Sequence, residues 1–397
     1  MCYTQAMIRI GVVNSNYVSI NKRTKKGTEI FSYLFVRNLA RQSKRFNLKI
    51  SAFGSGDSDF PVKLYSVNYK SSLKDVDIGA RHHNTFELAL LSKAFSMQNE
   101  FDIYHINIGN GDVVLPFAPF VDKPILVTMH WTFSDEKYNK KYLSLFDNLK
   151  NVYFVSLSAS QRKQLPNLQY IATIPHGVDV KRYWKFDAVG GTHMVWAGRA
   201  IKEKGINELP VIAKKAKRTL DVYPLIKEES PKWIKDLYEK RRRSLPFFTM
   251  YESINRHDLE NKYQKSKVCL FPIAWEEPFG FVLIESLACG TPVIAYARGS
   301  ASEIIEDGVT GFLINPSSNE KRGDFIIKKT GIEGFCEAIE RIYAMPADEY
   351  QQMRMACRQR VINYFTVRRM IKQYIETYKK VLVDWKKKQV AFRSKVR

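Results

Sequence analysis

The chain has 397 residues, of which 45% are apolar and 13% aromatic, so it is rich enough in core-forming side chains to exclude a mainly disordered protein. Its 63 lysine and arginine residues outnumber 40 aspartate and glutamate residues, and the formal net charge of +23 indicates an anionic partner such as nucleic acid, a membrane surface or a phosphate-bearing small molecule. No window is apolar over the ~20 residues of a membrane-spanning helix, and the start of the chain lacks the basic and apolar regions of a signal peptide.

Predicted strands and helices alternate through the first half of the chain. A strand over 8–13 precedes a helix over 28–46. Further apolar runs predict strands at 48–53, 103–108, 125–129, 152–157 and 171–174. These runs are continuous and rich in β-branched residues, which is typical of parallel strands that are buried on both faces.

A second series of apolar runs fills the rest of the chain. It predicts strands at 194–197, 222–226, 247–251, 268–272, 292–295 and 312–314, and then helices at 331–344, 347–364 and 367–388. Strands that alternate with helices at this spacing predict doubly wound, Rossmann-like α/β domains.

A stretch with little periodicity, residues 184–192, contains Gly190 and Gly191 and predicts a linker. We therefore expect a first domain at 1–185, a second domain at 186–366, and a helix with a basic tail at 367–397 that packs back on the first domain. Two such domains that face each other would form a ligand-binding cleft between them.

The positive charge is concentrated in two segments. Residues 22–49 hold nine basic side chains and one acid, and residues 368–397 hold eleven basic side chains and two acids. A solvated basic surface accounts for either segment by itself. The alternative is contact with an anionic membrane surface, which favours a cytoplasmic protein at the inner face of a membrane.

The cysteines are widely spaced and include no CxxC pair, which indicates reduced thiols of a cytosolic protein rather than disulfides or a zinc site. They are Cys2, Cys269, Cys289, Cys336 and Cys357. Histidines and acids are scattered without the spacing of metal ligands, so we expect no metal site.

The most informative segment, residues 271–314, reads FPIAWEEPFGFVLIESLACGTPVIAYARGSASEIIEDGVTGFLI. A strand is followed by a loop with Glu277 and then by a helix from about Phe281 to Ala288. The amides at the start of such a helix favour an anion or a sugar oxygen. Glu285 lies among apolar neighbours, where a carboxylate is costly to bury without partners, so a function is favoured over a solvated helix face.

The spacing of Glu277 and Glu285 within EPFGFVLIE, followed by LACGTPVIA and GVTGFLI, resembles the retaining nucleotide-sugar glycosyltransferases of the GT-B fold, specifically glycosyltransferase family 4. Shorter matches agree with this resemblance over roughly residues 8–380. They are the N-terminal loop around Gly27, His130 after a strand, the IPHGVD segment with His176, and Arg199 followed by Lys204.

The resemblance implies a role for each matched residue. Arg199 and Lys204 would stabilise the departing diphosphate, and Gly27 would let the backbone approach it. Glu285 would accept hydrogen bonds from the ribose. The sugar hydroxyls would be held by Glu277, by the amides of Phe279, Gly280, Phe281 and Val282, and by His130, and the base would lie against the segment 251–254, ending at Ile254.

Two residues depart from the family pattern. Lys26 stands before Gly27 where many relatives carry a second glycine, so it either reaches the phosphate or changes the loop. His176 stands where an asparagine is more usual, and the sequence offers no physical account of that change.

The reaction that the resemblance implies is a metal-independent transfer of a hexose, with retention, from a nucleotide diphosphate sugar to a saccharide, lipid-linked or other hydroxyl acceptor. The donor is a co-substrate, with a UDP-sugar favoured, and no cofactor is expected. A GT-B isomerase or hydrolase that uses the same donor is the alternative. A nucleic-acid-binding protein is a more distant alternative, because no basic segment is interleaved with aromatic residues as in a known nucleic-acid-binding module.

Overall fold

The computed structural model describes residues 6–109, 111–131, 141–146, 148–239, 244–256 and 258–396. The chain forms two compact units: unit 1 is Met1–Pro175 with Val367–Arg397, and unit 2 is His176–Thr366. The predicted boundary at 185/186 therefore lies inside unit 2. The segment before it is held there by hydrogen bonds of its backbone amides, from Val178 to the Phe365 carbonyl and from Trp184 to Glu260 Oε2.

Unit 1 is built on a seven-stranded parallel sheet in the order β3-β2-β1-β4-β5-β6-β7. Its strands are β1 Ile8–Asn14, β2 Leu48–Phe53, β3 Lys63–Tyr65, β4 Ile103–Asn107, β5 Ile125–Thr128, β6 Val152–Ser156 and β7 Tyr170–Thr173. Described helices of this unit are Gly27–Phe46, His83–Ser96, Ala159–Gln164 and Val367–Val396, with single 3₁₀ turns at Gln98–Glu100, Asp112–Val114 and Ala118–Phe120.

Unit 2 repeats this architecture with the order β10-β11-β9-β8-β12-β13-β14, in which only β10 runs antiparallel to its neighbour. The strands are β8 His193–Arg199, β9 Leu220–Leu225, β10 Ser244–Leu245, β11 Phe248–Met250, β12 Ser266–Phe271, β13 Val293–Tyr296 and β14 Gly311–Ile314. The helices are Leu209–Ala216, Lys232–Glu239, Leu259–Gln264, Phe281–Ala288, Ala301–Ile304, Gly331–Ala344 and Ala347–Tyr364, with a 3₁₀ turn at Lys202–Lys204.

The predicted doubly wound α/β architecture is confirmed, because every predicted apolar run becomes a strand with ends shifted by a few residues. Two strands were missed. β3 has three residues and β10 has two, and both lie at sheet edges, so neither is long enough to produce an apolar run.

The C-terminal helix is longer than predicted and runs to Val396 because the sequence after residue 388 contains no glycine or proline to end it. It packs within unit 1 on the helix Gly27–Phe46, with Tyr374 ring contacts to Phe31 and Phe35 at centroid distances of 5.9 and 4.9 Å. Both basic segments of the sequence therefore belong to unit 1.

None of the helices in the described ranges is long and apolar enough to cross a membrane. Cys269, Cys289, Cys336 and Cys357 are free thiols, and Cys2 lies outside the described residues.

Candidate functional site

In unit 2 the strand order reverses at β8 and β12, which are neighbours in the sheet. Ligands of open α/β sheets bind beyond the carboxyl ends of the strands at such a point. Arg199 is the last residue of β8, Lys204 closes the turn that follows, and Glu277 lies in the loop after β12. The fold thus gathers these predicted site residues at the edge where a ligand is expected.

Lys204 and Glu277 form an ion pair in which both side chains are largely buried, with exposed fractions of 15% and 12%. The indole Nε1 of Trp275 donates a second hydrogen bond of 2.6 Å to the same oxygen, Glu277 Oε2. Burial lowers the pKa of Lys204, and the Glu277 carboxylate opposes that shift. Two donors on one oxygen fix the orientation of the Glu277 carboxylate.

Trp275 also connects Arg199 to this pair. The Lys204 ammonium lies 4.9 Å from a Trp275 ring centroid, and the Arg199 guanidinium carbon lies 5.6 Å from it. Both distances are those of cation–π contacts. The sequence analysis did not single out Trp275, although its position two residues before Glu277 places it in the same loop as a predicted site residue.

The turn that carries Lys204 lies directly on the end of β12. Gly205 has φ +74°, and a Cβ built there would lie 1.9 Å from the Pro272 carbonyl oxygen, so only glycine fits. The Ala274 amide donates to the Glu203 carbonyl at 2.9 Å. These contacts fix Lys204 relative to the loop with Glu277.

The helix Phe281–Ala288 begins at the corner that was predicted to hold the sugar. Gly280 is its N-cap and has φ +84°, a conformation that favours glycine. Ser300 anchors the preceding loop, since its amide donates to the Glu277 carbonyl at 2.9 Å and its hydroxyl to the Phe279 carbonyl at 2.5 Å. The first amides of a helix, here from Phe281 and Val282, have no acceptor within the helix.

One turn into this helix, Glu285 is 3% exposed and forms an ion pair with Arg256, whose Nε donates to Glu285 Oε1. Burial raises the pKa of Glu285, and Arg256 opposes that shift. Arg256 lies two residues after the half-buried Ile254, in the loop that was predicted to contact the base. No sequence pattern singled out Arg256, because its contact with Glu285 depends on packing.

His176, which the sequence left without a physical account, also contacts the start of this helix. Its ring stacks on Phe281 with centroids 4.7 Å apart and an interplanar angle of 8°, and it meets the Phe279 ring at 5.0 Å. His176 therefore helps to position the start of the helix, which a smaller asparagine side chain could not do by stacking.

Gly27 and His130 belong to unit 1. Gly27 is the first residue of the helix Gly27–Phe46, and the Nζ of Lys26 lies 3.8 Å from the centroid of the Tyr17 ring. The His130 amide donates to the Gly109 carbonyl at 3.0 Å, and its ring lies 4.7 Å from that of Phe31. Burial lowers the pKa of His130 to about 3, so the ring is neutral near pH 7.

Within the described ranges, the structure gathers no group of three or more histidine, cysteine or acidic side chains that could hold a metal ion. The charge balance of the site comes from Arg199, Lys204 and Arg256 against Glu277 and Glu285. Two cations at a strand end and a helix start nearby are suited to an anion with several oxygens.

Residues 190–328 match the family described as Glycosyl transferases group 1. A curated relative, alpha-maltose-1-phosphate synthase of Mycolicibacterium smegmatis, is 26% identical over 196 residues, which are 47% of this chain and 48% of the relative. An uncharacterized 41.2 kDa protein from the cps region of Klebsiella pneumoniae is 26% identical over 47% of this chain and 46% of its own length. The match spans about half the length of both relatives.

Among solved structures, sucrose-phosphate synthase from Thermosynechococcus elongatus superposes with a TM-score of 0.70 at 18% identity, covering 95% of this chain and 99% of its own. Anabaena HepE, solved in complex with UDP-glucose, gives a TM-score of 0.67 at 16% identity, covering 94% and 100%. At these identities the likeness concerns the fold, and the predicted GT-B fold is confirmed.

Proposed function

We propose that this chain, whose residues 190–328 belong to the Glycosyl transferases group 1 family, transfers a hexose from a nucleotide diphosphate sugar to a hydroxyl acceptor with retention at the anomeric carbon. One observation carries the proposal: Arg199, Lys204 and Glu277 converge on Trp275 at the point where the strand order of unit 2 reverses. Two cations and a carboxylate, held together and largely buried, suit a diphosphate with a sugar attached.

The departing diphosphate gains negative charge as its bond to the sugar breaks. Arg199 and Lys204 would stabilise that charge from fixed positions, without reorganisation of solvent. Arginine offers a planar fork of N–H donors for phosphate oxygens, and lysine adds a point charge. In other sites a metal ion stabilises this charge, and here Arg199 and Lys204 would do so. We therefore propose a metal-independent reaction without a cofactor.

The carboxylates would hold the uncharged parts of the donor. Glu277 and the backbone amides of Phe279, Gly280, Phe281 and Val282 are assigned to the sugar hydroxyls, and Glu285 to the ribose. The 251–254 segment, ending at Ile254, is assigned to the base. In unit 1, Gly27 is assigned to the diphosphate and the neutral His130 to the sugar.

The described residues include no obvious covalent nucleophile for the anomeric carbon. We therefore propose a front-face substitution. The bond between the anomeric carbon and the phosphate oxygen breaks, the acceptor oxygen bonds to that carbon from the same face, and the acceptor proton passes to the departing phosphate oxygen. A two-carboxylate displacement would need a second acid beside the anomeric carbon.

A uridine nucleotide is the favoured donor, since the structural neighbour HepE was solved with UDP-glucose. A lipid-linked or saccharide acceptor at an anionic membrane surface is supported by the two basic segments, which both lie in unit 1.

A donor screen tests the proposal. UDP-, GDP- and ADP-sugars are compared for thermal stabilisation of the full chain, because a ligand at 100 times its dissociation constant adds about 2.7 kcal/mol to stability. We expect one nucleotide series to raise the melting temperature, and we expect that series to be the UDP-sugars. Stabilisation by none of them would contradict the proposal.

Two rivals are separated by product analysis and by binding. Donor labelled in its sugar gives a new labelled glycoside if the chain is a transferase. A hydrolase yields free labelled sugar, and an isomerase leaves the label on an isomeric nucleotide sugar. A nucleic-acid-binding protein would instead form a salt-sensitive complex with DNA or RNA and bind no nucleotide sugar.

A further inference from the structure

Arg256 is a largely buried charged side chain of unit 2 that pairs with a proposed donor-binding residue and has no role of its own in the proposed chemistry. It is 13% exposed, and its partner Glu285 is 3% exposed. Its guanidinium carbon lies 5.1 Å from the ring centroids of both Trp184 and Phe281. A guanidinium held by one carboxylate and two aromatic rings has little freedom to turn, so its N–H groups point in fixed directions.

The Arg256–Glu285 pair keeps hydrogen-bonding capacity beyond its own contact. The contact joins Arg256 Nε to Glu285 Oε1, and the carboxylate carries further acceptor sites on Oε2. On the arginine, Nη2 is buried and has no hydrogen-bond partner among the residues that the structure describes. A buried donor without an acceptor is unfavourable, so a ligand group that accepts from Nη2 would be bound favourably.

We propose that Arg256 is a specificity-determining residue that recognises, together with Glu285, the two adjacent hydroxyl groups of the donor's ribose. This inference rests on the proposed function, in which Glu285 binds the ribose. The 3′-hydroxyl donates to the Glu285 carboxylate, and the oxygen of the 2′-hydroxyl accepts from the Arg256 guanidinium.

The chemistry of the pair suits a diol better than a single hydroxyl. A carboxylate only accepts and a guanidinium only donates, whereas each sugar hydroxyl does both. A 2′-deoxyribose removes one of the two hydroxyls and leaves a buried charged group without its partner. Sites built to hydrogen-bond a hydroxyl reject the analogue that lacks it.

A purely structural role for Arg256 has a different consequence. The guanidinium could instead only hold Glu285 in place, or an ordered water could satisfy Nη2. Loss of Arg256 would then weaken the binding of ribonucleotides and of 2′-deoxyribonucleotides by the same factor. The ratio of the two affinities therefore separates recognition from support.

The experiment measures that ratio by isothermal titration calorimetry on the full chain. The probes are UDP, GDP and ADP, each beside its 2′-deoxy counterpart, and the proteins are wild type, Arg256→Gln and Arg256→Lys. Arg360→Gln is the matched control, since that guanidinium also lies in unit 2 and donates to the backbone carbonyls of Glu303 and Ile304. Melting temperatures identify any variant that does not fold.

We expect wild type and Arg360→Gln to prefer the ribonucleotide by at least about tenfold, the loss expected for one hydrogen bond to a charged group. Arg256→Gln should bring the ratio close to one. Arg256→Lys should also lower the ratio, because an ammonium cannot reproduce the fork of the guanidinium. If Arg256→Gln does not fold, the ratio measured for Arg256→Lys tests the proposal.

The two proposals fail in different ways. If wild type binds none of the nucleoside diphosphates, the proposed function is contradicted. If wild type binds one and the folded Arg256 variants keep the wild-type ratio, the function stands and the role of Arg256 is overturned.

Discussion

Lys204 is held in a fixed position by a carboxylate that also opposes the effect of burial on the pKa of its ammonium group. Burial lowers the pKa of its ammonium group, and the Glu277 carboxylate opposes that shift. Trp275 donates to the same carboxylate oxygen and so keeps Glu277 in place beside Lys204. The carboxylate therefore serves the cation directly, in addition to its proposed contact with the sugar.

We expect Lys204→Ala and Arg199→Ala to lower kcat far more than they raise KM for the donor. The charge that they would stabilise develops in the transition state, and loss of one such contact costs on the order of 3 kcal/mol, or about 10²-fold in rate. Steady-state transfer assays with the donor found in the screen measure the effect. Lys202→Ala, an exposed lysine in the same turn, is the control and should turn over as wild type does. Wild-type turnover in the Lys204 or Arg199 variant would refute the assignment.

The C-terminal helix Val367–Val396 is attached to unit 1 by buried polar contacts in addition to the packing of its apolar side chains. His105 on β4 binds the Tyr378 hydroxyl through Nδ1 and the Thr128 hydroxyl through Nε2, both at 2.7 Å. The Tyr374 and Thr128 hydroxyls lie 2.9 Å apart. The helix is thus tied to the sheet of unit 1 by a chain of hydrogen bonds around a buried, neutral histidine.

This attachment predicts a loss of stability in mild acid. Burial lowers the pKa of His105 well below its ordinary value of 6.5, so the unfolded chain takes up the proton first and stability falls as the pH drops below about 6.5. The limiting slope is about 1.4 kcal/mol per pH unit for one histidine. His130 acts in the same direction, whereas burial raises the pKa of Glu29 and Glu87 in the same unit, which opposes it.

Urea unfolding midpoints of wild type and His105→Gln, measured between pH 8 and pH 5, check this prediction. The difference between the two proteins isolates His105 from the other groups. We expect the wild-type midpoint to fall more steeply with decreasing pH than that of the variant. Parallel curves would show that His105 does not titrate with unfolding.

On the scale of the whole molecule, the charge is distributed unevenly. The segments 22–49 and 368–397, which carry most of the net positive charge, belong to unit 1. The helices that they contain pack on each other through Phe31, Phe35 and Tyr374. Basic residues of both segments are exposed: Lys22, Arg23, Lys25, Arg41, Lys44, Arg45, Lys49, Arg368, Arg369, Lys372, Lys380, Lys386 and Lys387.

We expect the chain to bind vesicles that contain anionic phospholipid and to leave them as the salt concentration rises, because the attraction is electrostatic and screened within about 10 Å at 0.1 M salt. Cosedimentation at low and high salt measures this binding, with phosphatidylcholine vesicles as the neutral control. The Arg41→Gln, Lys44→Gln, Arg45→Gln triple variant should bind more weakly. No association at low salt would remove the support for a membrane-bound acceptor.

The sequence by itself predicted the longer strands and helices and the residues of a candidate site. Continuous apolar runs predicted the longer strands, since parallel strands buried on both faces leave that trace in a single chain. The donor chemistry was predicted from the resemblance of Glu277, Glu285, Arg199 and Lys204, with their spacing, to a glycosyltransferase pattern, and it stays a prediction.

Only the tertiary structure decided which charges meet. The pairing of Arg256 with Glu285, the hydrogen bond from Trp275 to Glu277 and the stacking of His176 on Phe281 join side chains from separate loops and helices. The boundary between the units and the edge strand β3 were likewise set by backbone hydrogen bonds between residues that are distant in the chain. Such contacts depend on how elements pack in space, so local composition and periodicity do not predict them.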